Sequence, residues 1–266
     1  MSRLRVRFSK FGKVRFTSHR DVARIWERSL RRAGIAVAYT EGFSPRPKLS
    51  FGLALSTGYE SLGEYLDISL REGDDLTLDE AAAAMAPGLP VGMEVQAVVR
   101  LEPGADSLQQ AVTSCTWHID LAGIAPDEAE GLVQAALAAG ELPVTRERKG
   151  QVVTDDVRPG IISAHVVGPA PTEGAPATCV ECELATQPRA LRPAEFVSAL
   201  LPPRPAATLA GVDPEGHAPL IGERSSVRPD RVTRISQWTQ AGGARAEVID
   251  LPPAATLPPH AEARAS

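Results

Sequence analysis

The 266-residue chain holds 28 Lys or Arg against 33 Asp or Glu, a net charge of −5, with 43% apolar residues. That content can bury one large core or two medium ones. No apolar run approaches the roughly 20 residues of a membrane helix, and no signal-peptide core opens the chain, so a cytoplasmic protein without a membrane partner is expected. Three cysteines, an odd and sparse set, fit reduced thiols better than a disulfide framework.

The charge is segregated. The first fifty residues carry thirteen Lys or Arg against three Asp or Glu, a balance of +10, which leaves −15 for the rest of a chain totalling −5. Of the four lysines, Lys10, Lys13 and Lys48 fall in this segment and only Lys149 outside it. Positive potential concentrated at one end of an acidic chain points to a polyanionic partner, and nucleic acid is the commonest.

In chain order, Leu4, Val6 and Phe8 alternate with Arg3, Arg5 and Arg7, which predicts a strand over 3–9 with one wet, cationic face. Val22, Ile25, Trp26, Ser29, Leu30 and Ala33 then recur at helical spacing, predicting a helix over 19–33 with Ser18 as N-cap and Gly34 closing it. Strands at 35–40, 49–56 and 64–70, a helix at 77–86 and a strand at 91–100 follow, interrupted by a Gly/Pro loop at 41–48. That order is close to the β-α-β-β-α-β, ferredoxin-like pattern. After Glu102-Pro103-Gly104 a second series runs through strand 117–121, a helix from Pro126 to Gly140, strands at 142–148, 161–167 and 178–185, and a short helix over 193–200. A Pro/Gly-rich loop at 202–223 precedes a final strand at 231–238. The reading is an α+β protein of two ferredoxin-like halves, 1–103 and 104–240, followed by a Pro/Ala-rich disordered tail, 241–266.

Chemistry concentrates in the first half. In Gly42-Phe43-Ser44-Pro45-Arg46-Pro47-Lys48, Pro45 and Pro47 restrict the backbone and hold Arg46 and Lys48 at low entropic cost. Leu49, Phe51, Leu53 and Leu55 then line one strand face, and Ser50, Gly52, Ala54 and Ser56 form a small-residue face open to close approach. Glu64 shares a face with Leu66, Ile68 and Leu70 and needs a partner, which Arg46 or Lys48 could supply across the hairpin. His19 stands at a helix start beside the basic strand, a position that suits a general base acting on an RNA 2′-hydroxyl. The alternative for His19 is a helix-start hydrogen bond or a phosphate contact. Ferredoxin-like CRISPR RNA-processing endoribonucleases have a loosely similar layout. Further on, Lys149, Asp155, Asp156 and Arg158 form an acidic–basic cluster that would bind metal or substrate, or make a turn with local ion pairs. Cys179-Val180-Glu181-Cys182 is a lone C-x-x-C, short of the four ligands of structural zinc, and no metal site is assigned. Walker A, dinucleotide and G-x-S-x-G motifs do not occur.

The run Phe8, Lys10, Gly12, Arg15-Phe16, Ser18-His19, Asp21, Arg31-Arg32-Ala33-Gly34, Gly42 to Lys48 and Glu64 resembles the radical SAM-linked protein family, a domain of unknown function. The resemblance is specific over residues 3–70 and extends through Lys149-Gly150 and Asp155 to Pro159 to about residue 200. Arg46 departs from the family, which more often has His there. In many bacteria such a domain looks like the C-terminal extension of a radical SAM enzyme, and in others it is a separate chain. The C-x₃-C-x₂-C trio that holds a radical SAM iron–sulfur cluster does not occur here, so the resemblance places the cluster and S-adenosylmethionine in a partner enzyme. The resulting expectation is a non-catalytic accessory that binds structured RNA, such as tRNA or rRNA, through Arg3, Arg5, Arg7, Lys10, Lys13, Arg15, Arg20, Arg46 and Lys48, for RNA modification. The alternatives are an endoribonuclease using His19, and a module that docks the radical SAM enzyme without RNA.

Overall fold

The computed structural model describes residues 2–71, 76–148, 150–170, 176–201, 227–241 and 243–249. The elements are β1 (Arg3–Lys10), a 3-10 turn (Gly12–Phe16), α1 (His19–Arg32), β2 (Leu49–Phe51), β3 (Glu60–Ser69), α2 (Leu78–Met85), β4 (Val95–Leu101), α3 (Leu108–Ala111) and β5 (Val112–Ala122). They continue with α4 (Pro126–Ala138), β6 (Pro143–Arg148), β7 (Gln151–Asp156), β8 (Ile161–Pro169), β9 (Ala177–Ala185), α5 (Pro193–Leu200), β10 (Arg228–Ala241) and β11 (Ala244–Glu247). This is a mostly-strand α+β fold in two compact units, Met1–Cys115 with Thr233–Ser266, and Thr116–Val232. The chain leaves the first unit within β5 and returns within β10.

In the first unit β3 is the hub. β1 pairs antiparallel along one edge of it, from Arg3↔Ser69 to Lys10↔Ser61, and β4 pairs antiparallel with β1 on the far side. The other edge of β3 is shared. β2 takes the end around Leu66 to Ile68, while β10 runs parallel to the opposite end, with Thr233↔Glu60 and Arg234↔Ser61.

Period-2 alternation sends Leu4, Val6 and Phe8 of β1, with Leu66, Ile68 and Leu70, to one face. There they form a core with Val22, Trp26 and Leu30 of α1 and Ala81 and Met85 of α2; the Phe8 and Trp26 rings meet edge-on at 4.9 Å. α1 starts where the Ser18 hydroxyl accepts the Asp21 N–H (3.3 Å). It stops at Gly34, whose φ of 68° costs a residue without Cβ little. The Thr77–Glu80 capping box fixes the start of α2. Beyond it the chain passes close under α1, where the Ser29 hydroxyl donates to the Met85 carbonyl at 2.7 Å.

The second unit has strand order β10-β5-β9-β8, with β6 and β7 forming a separate hairpin. α4 packs on β8 and β9, and Ile119, Leu121, Val133, Val180, Leu184 and Phe196 are buried.

Several expectations need correction. The segment 35–40 makes only the single bridges Val37↔Leu70 and Tyr39↔Pro47, and β2 ends at Phe51 instead of running to 56. The helix α3 and strand β7 lack a periodicity long enough to announce them. The tail expected from 241 begins with structure: Ala244–Glu247 pair with β10 and Ile249 is buried. Residues 250–266 lie outside the described residues, as does the loop expected at 202–223. Among the described residues no helix is long and apolar enough to cross a membrane.

A Cβ on Gly88 would stand 2.7 Å from the Ser29 Cα and 2.6 Å from its hydroxyl oxygen. Gly88→Ala should therefore force α1 away from the chain beneath it and cost about 1–3 kcal/mol in a urea titration. A wild-type midpoint would show that this approach is loose.

Candidate nucleic-acid interface

The alternation of β1 is as expected, but its cationic face is not wet. The second side of the sheet is covered by a smaller cluster of Tyr65, Leu108 and Ile249 with Ala97, Val99 and Val248 packed against it. Arg5 and Arg7 are consequently buried, and a buried guanidinium must be paired and hydrogen-bonded. Arg5 makes a two-pronged bond to the Asp67 carboxylate at 2.7 and 2.8 Å. Arg7 pairs with Glu247 at 2.8 Å and donates to Gln96 and to the Ile249 carbonyl. Arg3 donates to the Ala105 carbonyl at 2.7 Å.

Lys10 is buried too; its ammonium donates to the carbonyls of Arg15 and Thr17, each at 3.2 Å. Burial pushes its pKa down, the Glu64 charge opposes that shift and the Arg234 charge adds to it. Arg15 is half-buried against Glu60 at 3.0 Å, and Glu60 also accepts the Gly12 N–H. Five of the nine expected phosphate contacts, Arg3, Arg5, Arg7, Lys10 and Arg15, are thus held by protein partners.

Exposed cations lie elsewhere. Lys13, Arg20 and Arg46 are exposed and Lys48 is half-exposed. The expected set omitted Arg24, Arg28, Arg31 and Arg32 of α1, all exposed. At 100° per residue, Arg20, Arg24, Arg28, Arg31 and Arg32 fall within about 120° of the helix circumference. The buried side, with Val22, Trp26, Ser29 and Leu30, is opposite. Arg24 makes an exposed pair with Asp21 at 3.4 Å, which is worth little in water.

The loop over 41–48 stands out from the fold. Gly42 has a φ of 119°, Phe43 is fully exposed, and Pro45 is exposed while Pro47 closes the loop by its bridge to Tyr39. Thr40 binds Arg46 twice, its N–H donating to the Arg46 carbonyl and its hydroxyl accepting the Arg46 N–H. Phe16 and Phe43 are exposed, whereas Phe8 belongs to the core.

His19, the first residue of α1, is exposed and meets Phe51 edge-on at 5.1 Å. It lines a small cleft whose polar members are Lys10 and Glu64. Glu64 does not meet Arg46 or Lys48, because the β2–β3 register puts that loop at the other end of β3. Its neighbour is the fully buried Arg234, at 3.7 Å. Arg234 also donates to the carbonyls of Leu53 and Ala54 at 3.0 Å, ending the apolar run that follows β2. The small-residue face there is met by protein, since Gly52 faces Leu108 and Tyr65.

The second cluster separates into two structural devices. Asp156 accepts the N–H groups of Leu142 and Arg158, which hold its carboxyl below the usual range. Arg158 donates to the Leu137 carbonyl near the end of α4 and to the Ile161 carbonyl. Asp155 instead joins Arg146 at 2.7 Å and Arg189 at 3.8 Å. Both arginines also reach Glu195 of α5, at 3.4 and 2.8 Å. Lys149 lies outside the described residues. Across β5, β9 and β8, Glu181 stands between His118 (2.8 Å) and His165 (3.9 Å).

Cys179 and Cys182 are three residues apart in β9, so they point to opposite faces and cannot converge on one ion. Burial and the neighbouring Asp120 carboxylate push the Cys179 thiol up to about 12, and burial raises Cys182 as well.

The site and the fold together define a class: a mostly-strand α+β protein with an exposed arginine face on its first helix and a proline-stiffened cationic loop beside it. By sequence the chain belongs to the family described as "Uncharacterized protein conserved in bacteria (DUF2344)", which it matches over residues 3–193. No curated protein matches it.

Removing one partner of the Arg5–Asp67 pair would strand a charge beneath residues 105–108. Arg5→Met should cost about 3–5 kcal/mol in urea unfolding, whereas a cost under about 1 kcal/mol would mean water reaches the carboxylate. In the native protein at pH 8, iodoacetamide should leave Cys179 and Cys182 unmodified and label both after unfolding, read by peptide mass spectrometry. Fast native labelling would contradict their burial.

Proposed function

We propose that this protein binds structured RNA, such as tRNA or rRNA, as a non-catalytic accessory of a separate radical SAM enzyme that modifies the RNA. The observation that carries RNA binding is the exposed arginine face of α1, extended by Lys13 and by Arg46 and Lys48 of the proline-stiffened loop. Guanidinium groups bind phosphate in two-pronged fashion. A convex helix beside a rigid loop suits RNA shape better than the reading of a duplex groove by a recognition helix.

The partner enzyme is supported by the resemblance of residues 3–70 to radical SAM-linked proteins. In this reading the iron–sulfur cluster and S-adenosylmethionine belong to the partner, and this chain supplies grip on the substrate. The strand orders β4-β1-β3-β2 and β10-β5-β9-β8 support the reading of each half as ferredoxin-like, with the β6–β7 hairpin inserted in the second.

A second reading has its own observation. His19 and Glu64 line one cleft at the start of the arginine face, which would place a candidate base beside a bound phosphodiester.

The test is binding of total cellular RNA across a salt series by wild type, Arg24→Glu/Arg28→Glu and Arg46→Ala/Lys48→Ala. Wild-type affinity should fall steeply with salt, and each double variant should flatten the slope by roughly one to two. Wild type that retains no RNA at low salt, yet co-elutes with an acidic protein in a salt-sensitive way, would replace RNA by a protein partner. Cleavage of the RNA that is lost in His19→Ala would make the protein a ribonuclease.

A further inference from the structure

A concavity of the arginine face lies at the C-terminal end of α1, where the chain turns at Gly34 and runs back along the helix. It encloses about 320 Å³, at the small end of the range in which ligand sites fall. Its floor is apolar, made by Leu30, Ile35 and Val37, each no more than 8% exposed. Tyr39 and Pro47 form a wall, and Arg31, Arg71 and Glu27 supply the charge. Tyr39 is 41% exposed, and the Arg71 guanidinium lies over its ring, 5.7 Å from the centroid.

We infer that this cavity holds a single unstacked nucleotide, its base against Tyr39 and the apolar floor and its phosphate at Arg31 and Arg71. The inference rests on the RNA reading above and says where a base, as opposed to the backbone, is gripped. A purely electrostatic surface has no use for an apolar floor or an exposed aromatic ring. A purely apolar ligand has no use for two guanidiniums. A nucleotide uses all of them: a flat face for stacking on Tyr39, a dianionic or diester phosphate for the two arginines, and an amino or ribose hydroxyl donor for the Glu27 carboxylate. The guanidinium already over the Tyr39 ring would extend the stack by the same cation–π attraction. The Tyr39↔Pro47 bridge joins this wall to the loop that carries Arg46, so the phosphates on either side of the gripped nucleotide would meet the loop and α1.

The same chemistry is offered by a free nucleotide, and the experiment separates the two sources. Isothermal titration with a mixed-sequence hexaribonucleotide, and separately with AMP, GMP, CMP and UMP, would compare wild type, Tyr39→Ala, Tyr39→Phe and Arg71→Gln, with urea midpoints confirming each fold. Tyr39→Ala should weaken the hexamer about 5- to 150-fold without changing its salt slope. Tyr39→Phe should bind as wild type, and Arg71→Gln should lower the slope by about 0.7. A hexamer that binds wild type and Tyr39→Ala equally would overturn the nucleotide pocket and leave the RNA reading intact. Monophosphate binding that depends on Tyr39, with no RNA bound, would keep the pocket as a free-nucleotide site and sink the RNA reading. Binding of neither would overturn both.

Discussion

The first unit depends on the satisfaction of two buried guanidiniums. β1 is covered on one face by α1 and α2 and on the other by α3 and the segment that ends at Ile249. Arg5 and Arg7 are therefore enclosed, and each needs an acceptor that only another element can provide. Asp67 comes from β3, Gln96 from β4, and Glu247 and the Ile249 carbonyl from the far end of the chain. Like a polar residue in a coiled-coil seam, such a charge tolerates few alternative registers, because a slip of one residue would leave it without a partner.

Once those arginines are counted as structural, the meaning of the basic N-terminal segment changes. The local excess of +10 in the first fifty residues divides between cations that hold the sheet together and cations that face solvent. The solvent-facing ones are Lys13 of the 3-10 turn and those of α1 and the loop over 41–48, where the helix surface and two prolines keep them extended from the body. The candidate interface therefore moves from strand to helix, where Phe16, Tyr39 and Phe43 are exposed rings.

What could be read beforehand follows from how local each signal is. α1 was legible end to end because the 3.6-residue apolar period lies within it and Ser18 and Gly34 stand directly at its two ends. β1 was legible for the same reason, and its alternation identified correctly which residues share a face. Whether that face is wet could not be read, since its cover comes from residues 105–108 and from 248–249, the latter with no periodic pattern of their own. The ion-pair network of Arg146, Asp155, Arg189 and Glu195 was half visible: Asp155 stood in a recognisable cluster, but its partners lie on β6 and in the approach to α5. Simple strand geometry would have decided the C-x-x-C motif, because an odd offset within a β-run sends two side chains apart. The Glu64 partner was assigned to the nearer hairpin, while the true neighbour, Arg234, is supplied by β10.

The bond between Arg7 and the Ile249 carbonyl spans 242 residues, and this has a consequence for how the protein is made. At about 5–20 residues per second on the ribosome, roughly 12–50 s separate the emergence of the two groups. Residues 116–232 emerge before the end of that interval. Arg5 by then has Asp67 and the Asp106 carbonyl, but Arg7 still lacks Glu247 and the Ile249 carbonyl. During synthesis the Arg7 side of β1 is thus among the last parts of the first unit to gain its partners.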